Sequence, residues 1–255
     1  MVCQIFKMVK KKNSNFNWLY ALIGCAACIT LISSCGKQNV TSVPGLNIQY
    51  EVLNLSPDLG PIVLFVDYKQ VSGRTAPYIF SVNQGYFYVP DVATTNPYQF
   101  RPFVPNGTVS TSLFTRSDTM RSGLKYTLFI SGSYNGGSKN NTLIQTFTVD
   151  TASVPAVGRG KIRFVDVSPT ATAGLDVYAN GTKAFSNVPY KSVSKYIEIP
   201  NGNYDLQITA TGQTAILKDM PAVSIQDGRL YTLYAYGYTS RVDSAAFNAN
   251  IIINK

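Results

Sequence analysis

A motif that occurs twice limits the folds open to this chain more than any other feature. Val52-Leu53-Asn54-Leu55-Ser56-Pro57 is answered by Val165-Asp166-Val167-Ser168-Pro169 at an offset of 112. Ile62-Val63-Leu64-Phe65-Val66-Asp67-Tyr68 is answered by Leu175-Asp176-Val177-Tyr178. Further on, Gly123-Leu124-Lys125-Tyr126-Thr127-Leu128 is answered by Gly228-Arg229-Leu230-Tyr231-Thr232-Leu233 at an offset of 105. A period near 110 is too long for a solenoid and has the size of a small domain. The drift between offsets is ordinary variation in loop length. Two related domains therefore follow one another, at residues 46–150 and 160–255. Residues 151–159, which hold Pro155 and Gly158, form the linker.

Within each repeat the pattern is that of strands. Short runs rich in β-branched and aromatic residues are broken by Pro and by Asn-Gly, Ser-Gly and Gly-Gly pairs. Ile197-Glu198-Ile199 and Leu206-Gln207-Ile208 alternate as a strand with one wet face does. Asn180-Gly181, Asn201-Gly202, Asn106-Gly107 and Gly136-Gly137 are turn signals. Sustained helical periodicity is absent, and short helical turns are expected only near 171–174 and 217–220. The Ser-Pro pairs end strands, since proline donates nothing to a ladder and serine bonds to nearby backbone. Asp67 and Asp176 are expected to point to solvent. The fold class is all-β: two tandem β-sandwich domains, with immunoglobulin-like and transthyretin-like strand orders both open.

The front of the chain is of another kind. Lys7, Lys10, Lys11 and Lys12 precede an uncharged run, residues 18–32, and Ile32, Ser33 and Ser34 stand immediately before Cys35. Basic, apolar, then small is the layout of a secretory signal peptide. The run is shorter than the roughly 20 apolar residues of a spanning helix. Ile32-Ser33-Ser34-Cys35 resembles the lipobox of bacterial lipoproteins. The resemblance implies cleavage of signal peptide 1–34, fatty acylation (palmitate-type chains) of Cys35, and a membrane partner reached through that lipid. Residues 35–45 then form a tether, and the expected address is the outer membrane, on its periplasmic face or at the cell surface. An acidic cluster, which some Bacteroidetes-type lipoproteins use as a surface-export signal, is missing after Cys35.

The second repeat resembles the family known as domain of unknown function 4397. The residues that carry the likeness run from Gly160 through Ser168-Pro169, then Leu175-Asp176-Val177-Tyr178-Ala179-Asn180-Gly181. Asn187-Val188-Pro189-Tyr190, Tyr196 to Gly202, Tyr204 to Thr209 and Gly228 to Leu233 complete it. The likeness is looser over the first repeat. It implies a secreted or lipid-anchored β-sandwich, often in tandem, and it implies no activity.

Composition narrows the chemistry further. The chain has no histidine, and its cysteines are Cys3, Cys25, Cys28 and Cys35. Serine and cysteine triads, histidine-based zinc sites and histidine proton shuttles are thereby excluded from the mature domains. No metal or cofactor is expected, and no catalytic residue is assigned. Ser-x-x-Lys occurs at 122–125 and 192–195, but in strand-and-turn sequence and without the partner motifs of penicillin-recognising enzymes. Losing the leader's four lysines takes 22 basic residues to 18 against 13 acidic ones, a net +5. Those 18 are scattered, which argues against a nucleic-acid footprint, and no nucleic-acid partner is expected.

Aromatic residues give the one hint of a ligand. Tyr234, Tyr236 and Tyr238 alternate along a strand and share a face, from which they could stack on a sugar ring or a partner protein. The bland alternative is that they cover a second sheet or the joint between domains. Tyr86-Phe87-Tyr88 is read in the same way. The expected function is a non-catalytic, lipid-anchored binding or structural protein of the cell envelope with a glycan or protein partner. The alternatives are a carboxylate-based glycan-active enzyme and a fimbria-like subunit that exchanges a strand, for which the apolar tail 245–255 would serve.

Overall fold

The computed structural model describes residues 48–255 apart from 67–68, 71–76, 90–97, 104–111, 118–119, 122 and 135–141. Cys35, Ile32, Ser33 and Ser34 lie outside the described residues, as do Asp67, Asn106-Gly107 and Gly136-Gly137.

The strands of the first repeat are β1 (Ile48–Asn54), β2 (Ile62–Val66), β3 (Lys69–Gln70), β4 (Phe87–Val89), β5 (Tyr98–Pro102), β6 (Phe114–Arg116), β7 (Lys125–Ser131) and β8 (Ile144–Val149). Those of the second are β9 (Arg159–Asp166), β10 (Leu175–Ala179), β11 (Thr182–Val188), β12 (Ile197–Pro200), β13 (Gly202–Ala210), β14 (Ile216–Ile225), β15 (Leu230–Tyr236) and β16 (Asn248–Ile253). The sheets run β4-β1-β7-β8 and β3-β2-β5-β6 in the first repeat, β12-β9-β15-β16 and β11-β10-β13-β14 in the second. Adding eight to each label of the first pair gives the second pair. In each repeat the first and second strands lie in different sheets, and the first and seventh pair in parallel. An immunoglobulin sandwich keeps its first two strands in one sheet. Of the two orders left open by sequence, the transthyretin-like one is adopted.

The register repeats as well. Tyr50 pairs with Tyr126 and Leu53 with Phe129; Ile162 pairs with Tyr231 and Val165 with Tyr234. The offsets of 112 and 105 read from sequence convert one set into the other.

Three apolar layers hold the four sheets together. Tyr50, Val52, Leu128 and Ile130 meet Ile62, Leu64 and Phe100 inside the first sandwich. Ile162, Phe164 and Leu233 meet Val177, Leu206 and Ile208 inside the second. The third layer joins them: Leu53, Leu55 and Phe129 pack against Val165, Val167, Tyr234, Tyr236 and Ile252. The sheets containing β1 and β9 are thus covered on both faces, and residues 44–255 form one compact unit. Every residue of β15 is buried, which explains why its sequence lacks apolar–polar alternation.

Local chemistry follows the turn signals in most places. Asn180 (φ 48°) and Gly181 (φ 75°) both take the left-handed conformation of a two-residue hairpin between β10 and β11. Ser56 and Ser168 donate their amides to the side chains of Asn54 and Asp166 two residues back, closing the turn after each first strand. Two expectations fail. Residues 217–220 form no helical turn but belong to β14, because pairing with β13 sends Leu217 and Met220 onto the second core. Asp176 does not face solvent: it is 1% exposed. It accepts hydrogen bonds from Lys183 Nζ (2.7 Å) and the Asn187 amide (2.7 Å), with Gly212 N at 3.4 Å, tying β11 to the β13–β14 turn. Burial alone would raise its pKa, but Lys183 and these amides hold it below the usual carboxylate value.

Candidate functional site: the joint between the sandwiches

The tyrosine stripe lies in the joint. Tyr234 is 1% exposed and Tyr236 6%, and Tyr238 is half-buried beyond the kink at Gly237. Tyr234 packs on Phe129 with centroids 5.5 Å apart, and Tyr236 meets Phe80 edge to face at 6.1 Å. Ligand contact by Tyr234 and Tyr236 therefore gives way to the alternative reading, cover for the joint. The reason is that the outer face of their sheet meets the sheet of the other repeat instead of water. In the first repeat, Tyr86 reaches the joint, Phe87 packs on the first core, and Tyr88 is 65% exposed.

The joint is built from equivalent residues. Phe129 and Tyr234 are counterparts in the two repeats, and they touch. Phe80 of the first repeat contacts Tyr236 of the second, and the counterpart of Phe80, Tyr190, reaches the counterpart of Tyr236, Ser131 (3.5 Å). Such reciprocity marks an isologous, two-fold interface, here made inside one chain.

A polar network sequence reading missed lies along this interface. Asp150, the residue after β8, is 1% exposed. Its carboxylate is ion-paired with Arg163 and accepts hydrogen bonds from Thr127 (2.5 Å), Thr148 (2.7 Å) and Tyr86 (2.8 Å). Arg163 also donates from Nε to Thr232 (2.9 Å) and from Nη1 to the Val149 carbonyl (2.8 Å), and its guanidinium lies over the Tyr196 ring. Asn254, the counterpart of Asp150, accepts from Thr232 (2.7 Å) and donates to the Tyr86 hydroxyl (2.7 Å). Burial and the charge of Asp150 raise the Tyr86 phenol above its ordinary pKa, so it stays a donor.

Glu51 is the counterpart of Arg163 in β1, and it is 0% exposed. Thr127 and Asn83 are polar neighbours, but neither carboxyl oxygen has a well-formed hydrogen bond. Burial first, and the charge of Asp150 second, push its pKa up to about 8. Glu51 and Asp150 are two buried acids in one joint, and a pair of carboxyls is what acid–base catalysis would need. Glu51 is closed off from solvent, and the Asp150 side chain is buried and already committed to four donors.

The joint opens to solvent at one end, in a cleft of about 230 Å³. Gln49, Lys125 and Asp150 line it from the first repeat, Thr151 from the linker, and Leu230, Asn254 and Lys255 from the second repeat. Lys125 sits over the Tyr86 ring at 4.9 Å. Tyr88 pairs with Gln49 across β4 and β1, which puts an exposed aromatic ring beside the cleft. Among the described residues no group of three His, Cys, Asp or Glu side chains is placed to hold a metal. Ser192 of the second Ser-x-x-Lys donates its hydroxyl to the Pro189 carbonyl (2.5 Å), a turn contact.

The tail, residues 245–255, supplies β16, which pairs with β15 from Tyr231–Ile253 to Tyr236–Asn248. In this state it is not a free strand.

The joint's charges could have been found by aligning the repeats. Offset 112 sets Glu51 against Arg163, two charged residues in strands otherwise written for burial. Nothing in the alignment says that their side chains face one another's sheet.

Compared with known families, residues 170–250 match the model described as "Domain of unknown function (DUF4397)". No curated protein matches the chain.

Proposed function

We propose that this chain, whose second sandwich belongs to that family, is a lipoprotein tethered through Cys35 to the outer membrane. There it serves as a non-catalytic binding or structural protein for a glycan or protein partner. The carrying observation is that Glu51 is enclosed in the joint and that the Asp150 carboxylate is taken up by Arg163, Thr127, Thr148 and Tyr86. The lack of histidine, and of any cysteine after Cys35, supports the same reading. What the molecule presents outward is a double sandwich with a polar cleft and Tyr88 beside it.

Residues 36–255, which contain the whole compact unit, are the material for the test. Glycan and protein arrays probed with them are expected to give binding without turnover, weakened by Tyr88→Ala and unchanged by Ile216→Ala at a distant exposed site. Hydrolysis of any arrayed oligosaccharide would overturn the non-catalytic reading. The anchor is tested separately: labelling with a palmitate analogue in a bacterial host is expected for the full chain and absent for Cys35→Ala. Equal labelling of both would remove the lipid from the proposal.

A further inference from the structure

The two faces of the joint are alike in shape but not in charge. At counterpart positions the first repeat carries Glu51 and Asp150, the second Arg163 and Asn254. The joint thus holds two carboxyls and one guanidinium. Arg163 is committed to Asp150, Thr232 and the Val149 carbonyl. Glu51, fully enclosed, has no ion pair among the described residues.

We propose that the joint is a pH-operated latch, closed while Glu51 is neutral and released when Glu51 ionises. The groups that face Glu51 make this the expected outcome. Asp150 follows β8 and brings a negative charge; Lys125 of β7 brings a positive one from the rim of the cleft. Tyr86, ahead of β4, and Tyr234, in β15 of the opposite sheet, are phenols held protonated by burial. Among the described residues Arg163 of β9 is the cation enclosed within the joint, and sharing it between two carboxylates would weaken its bond to Asp150. A second buried charge without a partner is costly. Parting the sandwiches would hydrate it by disrupting the third apolar layer, with the two sandwich cores left intact. The linker is open to a protease at Val154 and Val157, which are 62% and 96% exposed, while Thr151 is tied to Lys125 of the first repeat and Ser153 and Gly158 to Lys161 and Asp227 of the second. The control runs upward in pH. Glu51 is seated below pH 8, and each unit above that favours release about tenfold.

The test uses residues 36–255 between pH 6 and 9.5. Glu51 and Glu198 are the only glutamates in the chain, so glutamate labelled with carbon-13 at Cδ gives two carboxyl resonances in that fragment. Glu198 is exposed and serves as the internal reference. One resonance is expected to titrate near pH 8. Over the same range the radius of gyration from X-ray scattering should rise, and proteolysis at the linker should run roughly tenfold faster at pH 9 than below pH 7. Glu51→Gln should stay closed throughout, and Glu51→Met gives the same reading if the glutamine variant folds poorly. Asp166→Asn, which alters the other buried acid with a raised pKa, should open as the wild type does. The latch is refuted if Glu51 titrates in the ordinary carboxylate range, or if the Gln and Met variants open at the wild-type pH. It is refuted too if the wild type stays compact through pH 9.5.

Discussion

The two sandwiches share strand order, parallel pair and register, yet they solve two buried polar problems differently. After the first strand, Asn54 uses Nδ2 to donate to the carbonyls of Gly60 and Tyr78 while Oδ1 accepts from Ser56. Asp166 stands at the same place in the second sandwich. One oxygen accepts from Ser168, and the other is buried without a partner. Burial pushes the pKa of Asp166 up to about 7, with the Ser168 amide pulling the other way. The second difference is across the joint, where Glu51 and Asp150 oppose Arg163 and Asn254. The comparison teaches that the backbone plan tolerates exchange of amide, acid and base at one position. Each exchange then sets its own pH behaviour, because the buried atom must find a partner or carry a proton.

The hardest blow to this comparison falls on Arg163. Arg163→Met leaves the Asp150 carboxylate buried without its countercharge, and a loss of roughly 3–5 kcal/mol in thermal or urea unfolding is expected. The double change Arg163→Met with Asp150→Asn, which restores the Asn254 chemistry on both sides, should recover most of it. Equal losses for the single and double variants would mean the pair is not coupled. Next in size is Tyr234→Ala, which empties the centre of the third apolar layer and should cost roughly 3 kcal/mol. A loss under about 0.5 kcal/mol would show that this layer does not hold the sandwiches together.

Asp166→Asn gives the second sandwich the side chain of the first, and the expected change is a gain. A carboxyl whose folded pKa is about 7, against an ordinary 3.8, holds its proton more tightly folded than unfolded. Its favourable contribution is complete below pH 4, declines as pH rises to 7, and is gone above that. Asn carries no such slope. The variant should therefore gain on the wild type steadily from pH 4 to pH 7 and be more stable than it at pH 8, by roughly 2–4 kcal/mol. Parallel wild-type and variant profiles would refute this. The smallest effect is at Tyr88, exposed and outside all three apolar layers. Tyr88→Ala should change stability by no more than about 0.5 kcal/mol, which makes it a clean probe of binding.

Much of the fold was legible from residues. The repeat predicted two like units, Asn180-Gly181 predicted its hairpin, and offsets 112 and 105 carried the strand register. Asp176 was misjudged because alternation in Leu175-Asp176-Val177-Tyr178 says which face a residue occupies, not whether that face is wet. Lys183, Thr211 and the loop after β13 fold over it. Residues 217–220 were misjudged because their apolar spacing fits a helical turn as well as a bulged strand. Gly132 and Gly237 are counterparts whose signal went unread. Each has positive φ, and a Cβ there would collide with the carbonyl of Thr142 or Ala246.

The residues on their own settled that the two repeats are β, that the unit is built twice, and that the usual histidine and cysteine chemistry is missing from the repeats. Strand periodicity and turn chemistry are local, and composition needs no geometry. Which outer faces come together was decided only in three dimensions. The same tyrosines that would make a ligand platform on an open sheet become core when a second sheet covers them. The same glutamate that would be an ordinary surface acid becomes a proton-holding group once water is excluded.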